Sequence, residues 1–401
     1  MTMTTSPVRS DRVAALPPYL FVDIDRKRRA RIAAGADVIN LGIGDPDRPT
    51  PDFIIEALRA AAGDPVNHRY ADGRGSGPFR QAAARFLKKR FGVTADPDRH
   101  ITAIIGSKEA VFHLPLGVLN PGDGVLVPSP GYPVYESGAI FACAEVIDMP
   151  LLPELGWRPD LDAISPADRA RARLMWANYP NNPTAACVDV DFFTTALRFS
   201  DANDIVLASD QAYSEIYFDA PPPSVWQADG ADLDSSPVIE LHSLSKTFNM
   251  TGWRIGFAVG RPDLIDALSA VKSNADSGPF GAVQDAAIAA LDGYDRPEVA
   301  HMREVYRQRR DALIPALRDI GCQVEPPAAG FFVWARCPAG PGGAPLKSMD
   351  FAARCLEEAD VVVVPSVGFS KRAEGWFRIA LTVEVDRITE AADRLRRLWG
   401  R

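Results

Sequence analysis

The stretch SLSKTFNMTGWRIGF, residues 243–257, lies between two apolar runs that are typical of buried strands. Lys246 therefore lies near the protein interior, where its ammonium loses hydration and its pKa falls. A lysine that can lose its proton can form an imine with an aldehyde. The serines and Arg254 suit a dianionic phosphate, because a guanidinium binds two oxygens at once. An aldehyde and a phosphate on one small molecule describe pyridoxal 5′-phosphate (PLP), and a solvated surface lysine is the alternative at this point.

The composition is that of a globular enzyme with room for a large and a small domain. The chain has 401 residues, of which 47% are apolar and 24% charged, and its net charge is −8. This acidic balance argues against nucleic acid or an anionic membrane as a partner. Because no CxxC, HxxxH or HExxH pair occurs, we expect neither disulfides nor a metal site. No signal peptide or long apolar run is evident, so we predict a cytoplasmic enzyme.

Apolar runs and amphipathic segments alternate from about residue 51 onward. Helices are predicted at 51–62, 78–91, 108–119, 189–202, 262–274, 296–319, 349–359 and 385–399. Strands are predicted at 101–105, 124–127, 174–177, 204–208, 238–241, 255–259, 331–335, 361–364 and 377–380. The alternation predicts an α/β fold, with a mainly parallel sheet covered by helices in a large domain at 49–290. We predict a smaller α+β domain at 291–401, with residues 1–48 as an N-terminal arm that also supplies part of it.

Polar segments follow the predicted strands, where ligands of open α/β sheets bind. Ser107 and Lys108 come after a strand and a glycine at the start of a helix, whose N-terminus favours phosphate. Asn182 lies between two prolines that hold an extended turn and present its amide as a donor. A tight strand–helix turn and an ordinary loop are the alternatives for these two segments.

Asp210 ends an apolar strand, where a carboxylate is costly unless it is paired. A protonated pyridine nitrogen is a suitable partner, and Tyr213, three residues later, can donate to the ring oxygen. The alternative for Asp210 is a helix N-cap. Arg378 lies within a strand between aromatic and apolar residues. Its guanidinium could bind an α-carboxylate bidentately, or it could lie at an exposed edge.

Together these segments resemble the fold-type I, PLP-dependent aminotransferases of class I/II, from about residue 16 to residue 399. The resemblance implies that Lys246 is the Schiff-base lysine and that Asp210 pairs with the pyridinium nitrogen. Asn182 and Tyr213 would donate to the phenolic oxygen of the ring. The implied phosphate shell consists of Arg254, Ser243, Ser245, Ser107 and Lys108.

Further roles follow from the same resemblance. Tyr132 would stack on the cofactor ring, Arg378 would hold the α-carboxylate, and Gly44 would lie beside the substrate. Tyr70 would reach the phosphate of the partner subunit, which implies a homodimer. The implied mechanism is ping-pong: an amino acid gives up its amine, a 2-oxo acid leaves, and a second 2-oxo acid accepts the amine. Lys246 would move the α-proton.

Several stretches are most similar to LL-diaminopimelate aminotransferases, which transfer an amino group between diaminopimelate and 2-oxoglutarate in lysine biosynthesis. They are LPPYLF (16–21), LGIGDPD (41–47), GSKE (106–109), HSLSKT (242–247) and KSNADSG (272–278). The stretch ADGRG at 71–75 departs from that subgroup, which usually has an aromatic residue and a glutamate after the tyrosine.

The departure leaves the substrate open. Arg74 as a substrate-binding residue would favour a distal carboxylate over a distal amine. Asp72 could compensate, and Arg74 could instead point to solvent. Aminotransfer from aspartate, alanine or a specialised-metabolite amino acid is therefore the alternative activity. A PLP-dependent β-lyase or decarboxylase is a further one.

Overall fold

The computed structural model describes residues 8–17, 20–340 and 342–399, so residues 1–7 of the predicted arm and residues 18–19 of the LPPYLF stretch lie outside it. The helices are α1 Asp11–Ala14, α2 Leu20–Ala33, α3 Asp52–Ala62, α4 Gly77–Phe91, α5 Ser107–Val118, α6 Val134–Phe141, α7 Pro166–Arg171, α8 Val190–Asn203, α9 Leu244–Thr247, α10 Pro262–Ala275, α11 Gly281–Asp292, α12 Pro297–Asp319, α13 Ser348–Ala359 and α14 Val385–Trp399. The strands are β1 Ile39–Asn40, β2 Ile101–Ile104, β3 Gly124–Ser129, β4 Glu145–Leu152, β5 Arg158–Pro159, β6 Ala172–Asn178, β7 Val206–Asp210, β8 Val238–Ser243, β9 Gly256–Gly260, β10 Gln323–Val324, β11 Phe332–Arg336, β12 Val361–Val362, β13 Val364–Pro365 and β14 Trp376–Ala380.

The large sheet has eight strands in the order β2-β9-β8-β7-β6-β3-β4-β5. Strands β8, β7, β6, β3 and β4 run parallel, while β9 is antiparallel to both of its neighbours. Along β6, Leu174 and Trp176 pack on one face, against α5, α6 and α10, and Met175 and Ala177 pack on the other, with α4, α8 and α11. Burial on both faces explains why these strands are continuous apolar runs. The predicted α/β fold class is confirmed.

A second, antiparallel sheet has the order β10-β11-β14-β13 and packs against α12, α13 and α14. Strand β1, near the start of the chain, pairs in parallel with β12. The N-terminal residues 39–40 are therefore joined to the C-terminal part of the chain by backbone hydrogen bonds. The boundaries at residues 48 and 290 stay predictions.

Several elements differ from the sequence-based expectation. Helices α2, α6 and α11 and strand β4 were not predicted; five of the twelve residues of α11 are alanine, and this helix carries little amphipathic pattern. The strand predicted at 204–208 begins at Val206, because Asp204 adopts a left-handed conformation with φ 54° and caps α8. The strand predicted at 361–364 is two short strands in different sheets, β12 and β13.

Candidate active site

A cavity of about 400 Å³ lies at the carboxyl edge of the large sheet, where the small sheet faces it. Parallel strands end at the same edge, so their C-terminal polar residues meet there: Asn178 is opposite Asp210 in the register of β6 and β7. The predicted site residues that line the cavity are Gly44, Ser107, Lys108, Tyr132, Asn182, Asp210, Tyr213, Ser243, Ser245, Lys246, Arg254 and Arg378.

Lys246 lies on α9, the short helix that follows β8 directly. Its Nζ donates a hydrogen bond to the carbonyl oxygen of Gly44 at 2.9 Å and lies 5.7 Å from the ring centroid of Phe331. Burial lowers the pKa of Lys246 to about 8, with nearby Asp45 opposing the shift. An amine with this pKa is largely protonated at neutral pH, yet it can give up its proton at small cost.

Asp210 is the last residue of β7 and is almost completely buried. The hydroxyl of Tyr135 donates to its Oδ2 at 2.8 Å, and the Ala212 N–H donates to its Oδ1 at 3.2 Å. Burial raises the pKa of this carboxyl to about 6, against these hydrogen bonds and the nearby His242. Such a carboxylate is stabilised by any cation placed in the cavity beside it, as a protonated ring nitrogen would be. Sequence reasoning missed Tyr135, because nothing in the local pattern shows that it faces Asp210.

The N-terminus of α5 and Arg254 form one end of the cavity. Arg254 Nη1 donates to Thr251 O and Nη2 donates to Ile105 O, each at 2.9 Å. Gly106, just before α5, has φ 75°, and a Cβ at this position would lie 2.6 Å from Arg254 Nη2. The glycine thus permits a close approach of guanidinium, backbone and helix start. This combination suits a phosphate group.

Arg378 approaches the cavity from β14 of the small sheet. Its Nη1 donates to Asn182 Oδ1 at 2.8 Å and its Nη2 donates to Gly42 O at 2.7 Å. The guanidinium lies 4.3 Å from the ring centroid of Phe332 and 4.8 Å from that of Phe369. The sequence did not identify Phe332, Phe369 or Gly42 as neighbours of Arg378, because they lie on other segments of the chain.

Tyr213 and Tyr132 complete the cavity wall. Tyr213 is buried against Phe331 and Phe332, with ring centroids 5.5 and 5.4 Å away, and hydrogen bonds with Asn182. Burial raises the pKa of Tyr213 above its usual range, so its hydroxyl stays protonated and can donate. Tyr132 also lines the cavity and is partly buried.

Two predicted site residues do not line this cavity. Tyr70 is 92% exposed. Arg74 turns to the surface of α10, where its Nη1 pairs with Asp266 at 3.1 Å, and its backbone N–H donates to Asp72 Oδ1. Neither residue contributes to the cavity within a single chain.

The residues that do line the cavity fit PLP. A lysine of lowered pKa, a buried carboxylate and a cationic phosphate cradle surround one volume, which is the donor set that an aldehyde, a pyridine nitrogen and a phosphate require.

Within the described residues, none of the helices is long and apolar enough to cross a membrane.

A second polar cluster lies behind α5, where Glu109, His113 and Asp276 offer ligand atoms close to one another. The fully buried Lys272 lies among them, with its Nζ 3.1 Å from Glu109 and 3.2 Å from Asp276. The ammonium of Lys272 thus already pairs with both carboxylates. The cluster is therefore an ion-pair network rather than a vacant metal site.

The fold and the cavity match a known family of enzymes. The family model described as aminotransferase class I and II matches residues 36–395. This chain belongs to that family, and it is an aminotransferase, an enzyme class that acts on an amino acid and a 2-oxo acid.

Individual relatives are similar over nearly the whole chain. The chain is 48% identical to the LL-diaminopimelate aminotransferase of Syntrophobacter fumaroxidans over 98% of its length and 99% of that protein. It is 46% identical to the LL-diaminopimelate aminotransferase of Aquifex aeolicus, covering 97% and 98% of the two chains. Among solved structures, substrate-bound BacF from Bacillus subtilis has a TM-score of 0.92 at 36% identity, covering 98% of each chain. A single mutant of Thermus thermophilus aspartate aminotransferase has a TM-score of 0.90 at 30% identity, covering 98% of this chain and 100% of the other.

Proposed function

We propose that this aminotransferase uses PLP bound at Lys246 and transfers an amino group between LL-diaminopimelate and 2-oxoglutarate, in lysine biosynthesis. The observation that carries the cofactor assignment is the arrangement of Lys246, Asp210 and Arg254 around one cavity. The substrate assignment is supported by relatives of that name that are 46–48% identical over at least 97% of this chain. A cytoplasmic location is part of the proposal, because all five cysteines are free thiols, as is usual in reducing compartments.

PLP, when bound, supplies an electron-accepting ring that takes up the electron pair left when the α-proton is removed. Asp210 would pair with the protonated ring nitrogen and so keep the ring cationic. Tyr213 and Asn182 would hold the cofactor by donating hydrogen bonds to its phenolic oxygen. Lys246 would serve as the base that takes the α-proton of the substrate and as the acid that gives it back, which its pKa of about 8 permits near neutral pH.

Substrate binding is the role we propose for Arg378. Its guanidinium is held on two sides by Asn182 and the Gly42 carbonyl. A guanidinium held in this orientation can bind the α-carboxylate of an amino acid or of a 2-oxo acid. Gly44 lies close to this guanidinium. A Cβ on Gly44 would be 2.6 Å from the ring of Phe332, and the centroid of that ring is 4.3 Å from the Arg378 guanidinium.

A homodimer is proposed in which Tyr70 reaches the phosphate end of the partner's cavity. Tyr70, Val66 and Phe280 are exposed by 92%, 72% and 48%. Large apolar side chains that are this exposed and close together support a protein–protein contact. Gly281, next to Phe280, packs against Asn67, so these segments form one surface.

One observation favours a second candidate substrate. Arg74 pairs with Asp266, but its buried Nε and Nη2 have no hydrogen-bond partner. Two unpartnered donors would suit a distal carboxylate, as in aspartate, if the loop faces the partner's cavity. Asp72, whose Oδ1 accepts from the Arg74 N–H, is the residue that would instead attract a distal ammonium.

The test is a single-turnover absorbance measurement on the purified PLP form without an acceptor. LL-diaminopimelate, aspartate, glutamate, alanine and arginine are the donors compared. Fastest conversion by LL-diaminopimelate is the expected result, and Arg74→Ala should leave it unchanged. Rapid conversion by aspartate, with a raised KM for aspartate in Arg74→Ala, would indicate instead that the substrate is an amino acid with a distal carboxylate that Arg74 binds. Release of ammonia or carbon dioxide from the donor, without conversion of the cofactor to its pyridoxamine form, would indicate a β-lyase or a decarboxylase.

A further inference from the structure

The N-terminal loop of residues 41–50 carries a row of backbone carbonyls into the active site. The Gly42 carbonyl accepts from Arg378 Nη2 at 2.7 Å, and the Gly44 carbonyl accepts from Lys246 Nζ at 2.9 Å. The carbonyl between them accepts from Thr382 Oγ1 at 2.6 Å. These three consecutive carbonyls, the carbonyl row, therefore contact both the catalytic lysine and the arginine proposed to bind the substrate.

A buried ion pair holds the loop immediately after the carbonyl row. Arg309, on α12, is completely buried, and its Nη1 and Nη2 donate to the two carboxylate oxygens of Asp47 at 2.6 and 2.7 Å. Nη1 also donates to Leu381 O at 3.0 Å, and Glu384 lies 3.3 Å from Nη2. Asp47 is only three residues beyond Gly44, so movement at Asp47 would reach the carbonyl row.

The other end of the loop is tied to the lysine segment. Thr50 Oγ1 donates to Asn249 O at 2.7 Å, and Asn249 Nδ2 donates to Pro49 O at 3.3 Å. Asn249 is three residues after Lys246 in sequence. Between these contacts, the bidentate pair of Arg309 with Asp47 determines how the loop approaches the cavity. A fully buried guanidinium tolerates little displacement of its carboxylate, because its desolvation is offset only by good geometry.

We propose that Arg309 and Asp47 are positioning residues for the transfer reaction, which hold Lys246 and Arg378 in their working orientation through the carbonyl row. The inference rests on the proposed role of Lys246 as the cofactor lysine. When the lysine is not bonded to the cofactor, the Gly44 carbonyl stabilises its ammonium form, because a hydrogen bond to the charged form favours that form. The Gly42 carbonyl accepts from Nη2 of Arg378 and so fixes the orientation in which the guanidinium meets the carboxylate.

The test compares two holoenzyme variants, each with one aspartate replaced by asparagine, in the loop and just beyond it. Asp47→Asn removes the charge that pairs with Arg309 but keeps the side-chain size. Asp52→Asn is the matched control, because it makes the same chemical change at an exposed carboxylate in the first turn of α3, just beyond the loop. The pyridoxamine-phosphate form, in which Lys246 is free, is reacted with 2-oxoglutarate at a series of pH values and followed by absorbance. KM and kcat are measured with whichever donor the wild type accepts.

In Asp47→Asn, the midpoint of the pH–rate profile should fall by roughly one unit, because the ammonium loses its acceptor. KM for the donor should rise roughly tenfold, while kcat at the pH optimum changes less than about threefold. Asp52→Asn should match the wild type. Arg309→Lys, which keeps the charge but cannot bind bidentately, should shift both quantities in the same direction as Asp47→Asn.

A wild-type midpoint and KM in Asp47→Asn would overturn the proposal. A lowered melting temperature without either change would also overturn it, since the pair would then serve stability alone. The wild type tests the proposed function separately. If it shows no absorbance of a lysine-bound cofactor, that function fails before any variant is compared.

Discussion

Replacing Asp210 by asparagine should affect the cofactor-free protein and the enzyme in opposite directions. In the cofactor-free protein the carboxylate is buried beside neutral donors, and its pKa rises from 3.8 to about 6. When the pKa of an acid is higher in the folded state than in the unfolded state, the free energy of unfolding falls as the pH rises above the pKa of the unfolded state. It stops falling once the pH exceeds the pKa of the folded state. The cost therefore builds up between pH 3.8 and about pH 6.

The magnitude follows from the size of this shift. About two pH units at ~1.4 kcal/mol each correspond to roughly 3 kcal/mol above pH 6. Asparagine keeps the two hydrogen bonds, since its oxygen can accept from the Ala212 N–H and its amide can donate to the Tyr135 hydroxyl. Cofactor-free Asp210→Asn should therefore be more stable than the wild type by roughly 3 kcal/mol at pH 8, and by almost nothing at pH 4.

In the enzyme with its cofactor, the same substitution should be harmful. Without the carboxylate the ring nitrogen loses its counter-charge, so turnover should fall by at least about a hundredfold. Urea unfolding of the cofactor-free proteins at pH 4, 5, 6 and 8, with single-turnover absorbance of the cofactor forms, measures both effects. An equal stability difference at pH 4 and pH 8, or unchanged turnover, would refute the reasoning.

Three further predictions concern the same cavity. Lys246→Ala should abolish the absorbance of a lysine-bound cofactor and reduce transfer by at least about 10⁴-fold, and a variant that kept wild-type turnover would contradict its role. Arg378→Lys should raise KM for the amino acid about a hundredfold with little loss of kcat, because bidentate binding is lost; equal losses in both would assign the arginine to another step. Gly106→Ala should weaken cofactor binding at least tenfold in a fluorescence titration, because the new Cβ would lie 2.6 Å from Arg254. Gly122→Ala, with a similar φ of 91° but open space around it, is its control and should bind the cofactor normally.

Much of the chemistry was predictable because it follows from local patterns. Buried parallel strands are continuous apolar runs, and the polar residues that end them lie at one edge of the sheet. Asp210 and Lys246 could be identified in this way, because Asp210 ends one such run and Lys246 lies on the short helix that follows another. Segments without a periodic apolar pattern were missed, as with the alanine-rich helix α11.

The sequence by itself determined the fold class and which residue types stand at the ends of the strands, because both depend on neighbours along the chain. Only the tertiary structure decided what those residues touch. The Tyr135 hydroxyl on Asp210, the Gly42 carbonyl on Arg378 and the pairing of Arg309 with Asp47 join residues that are 75, 336 and 262 positions apart. Contacts over such separations depend on how sheets and helices pack, and no local pattern of apolar and polar residues specifies them.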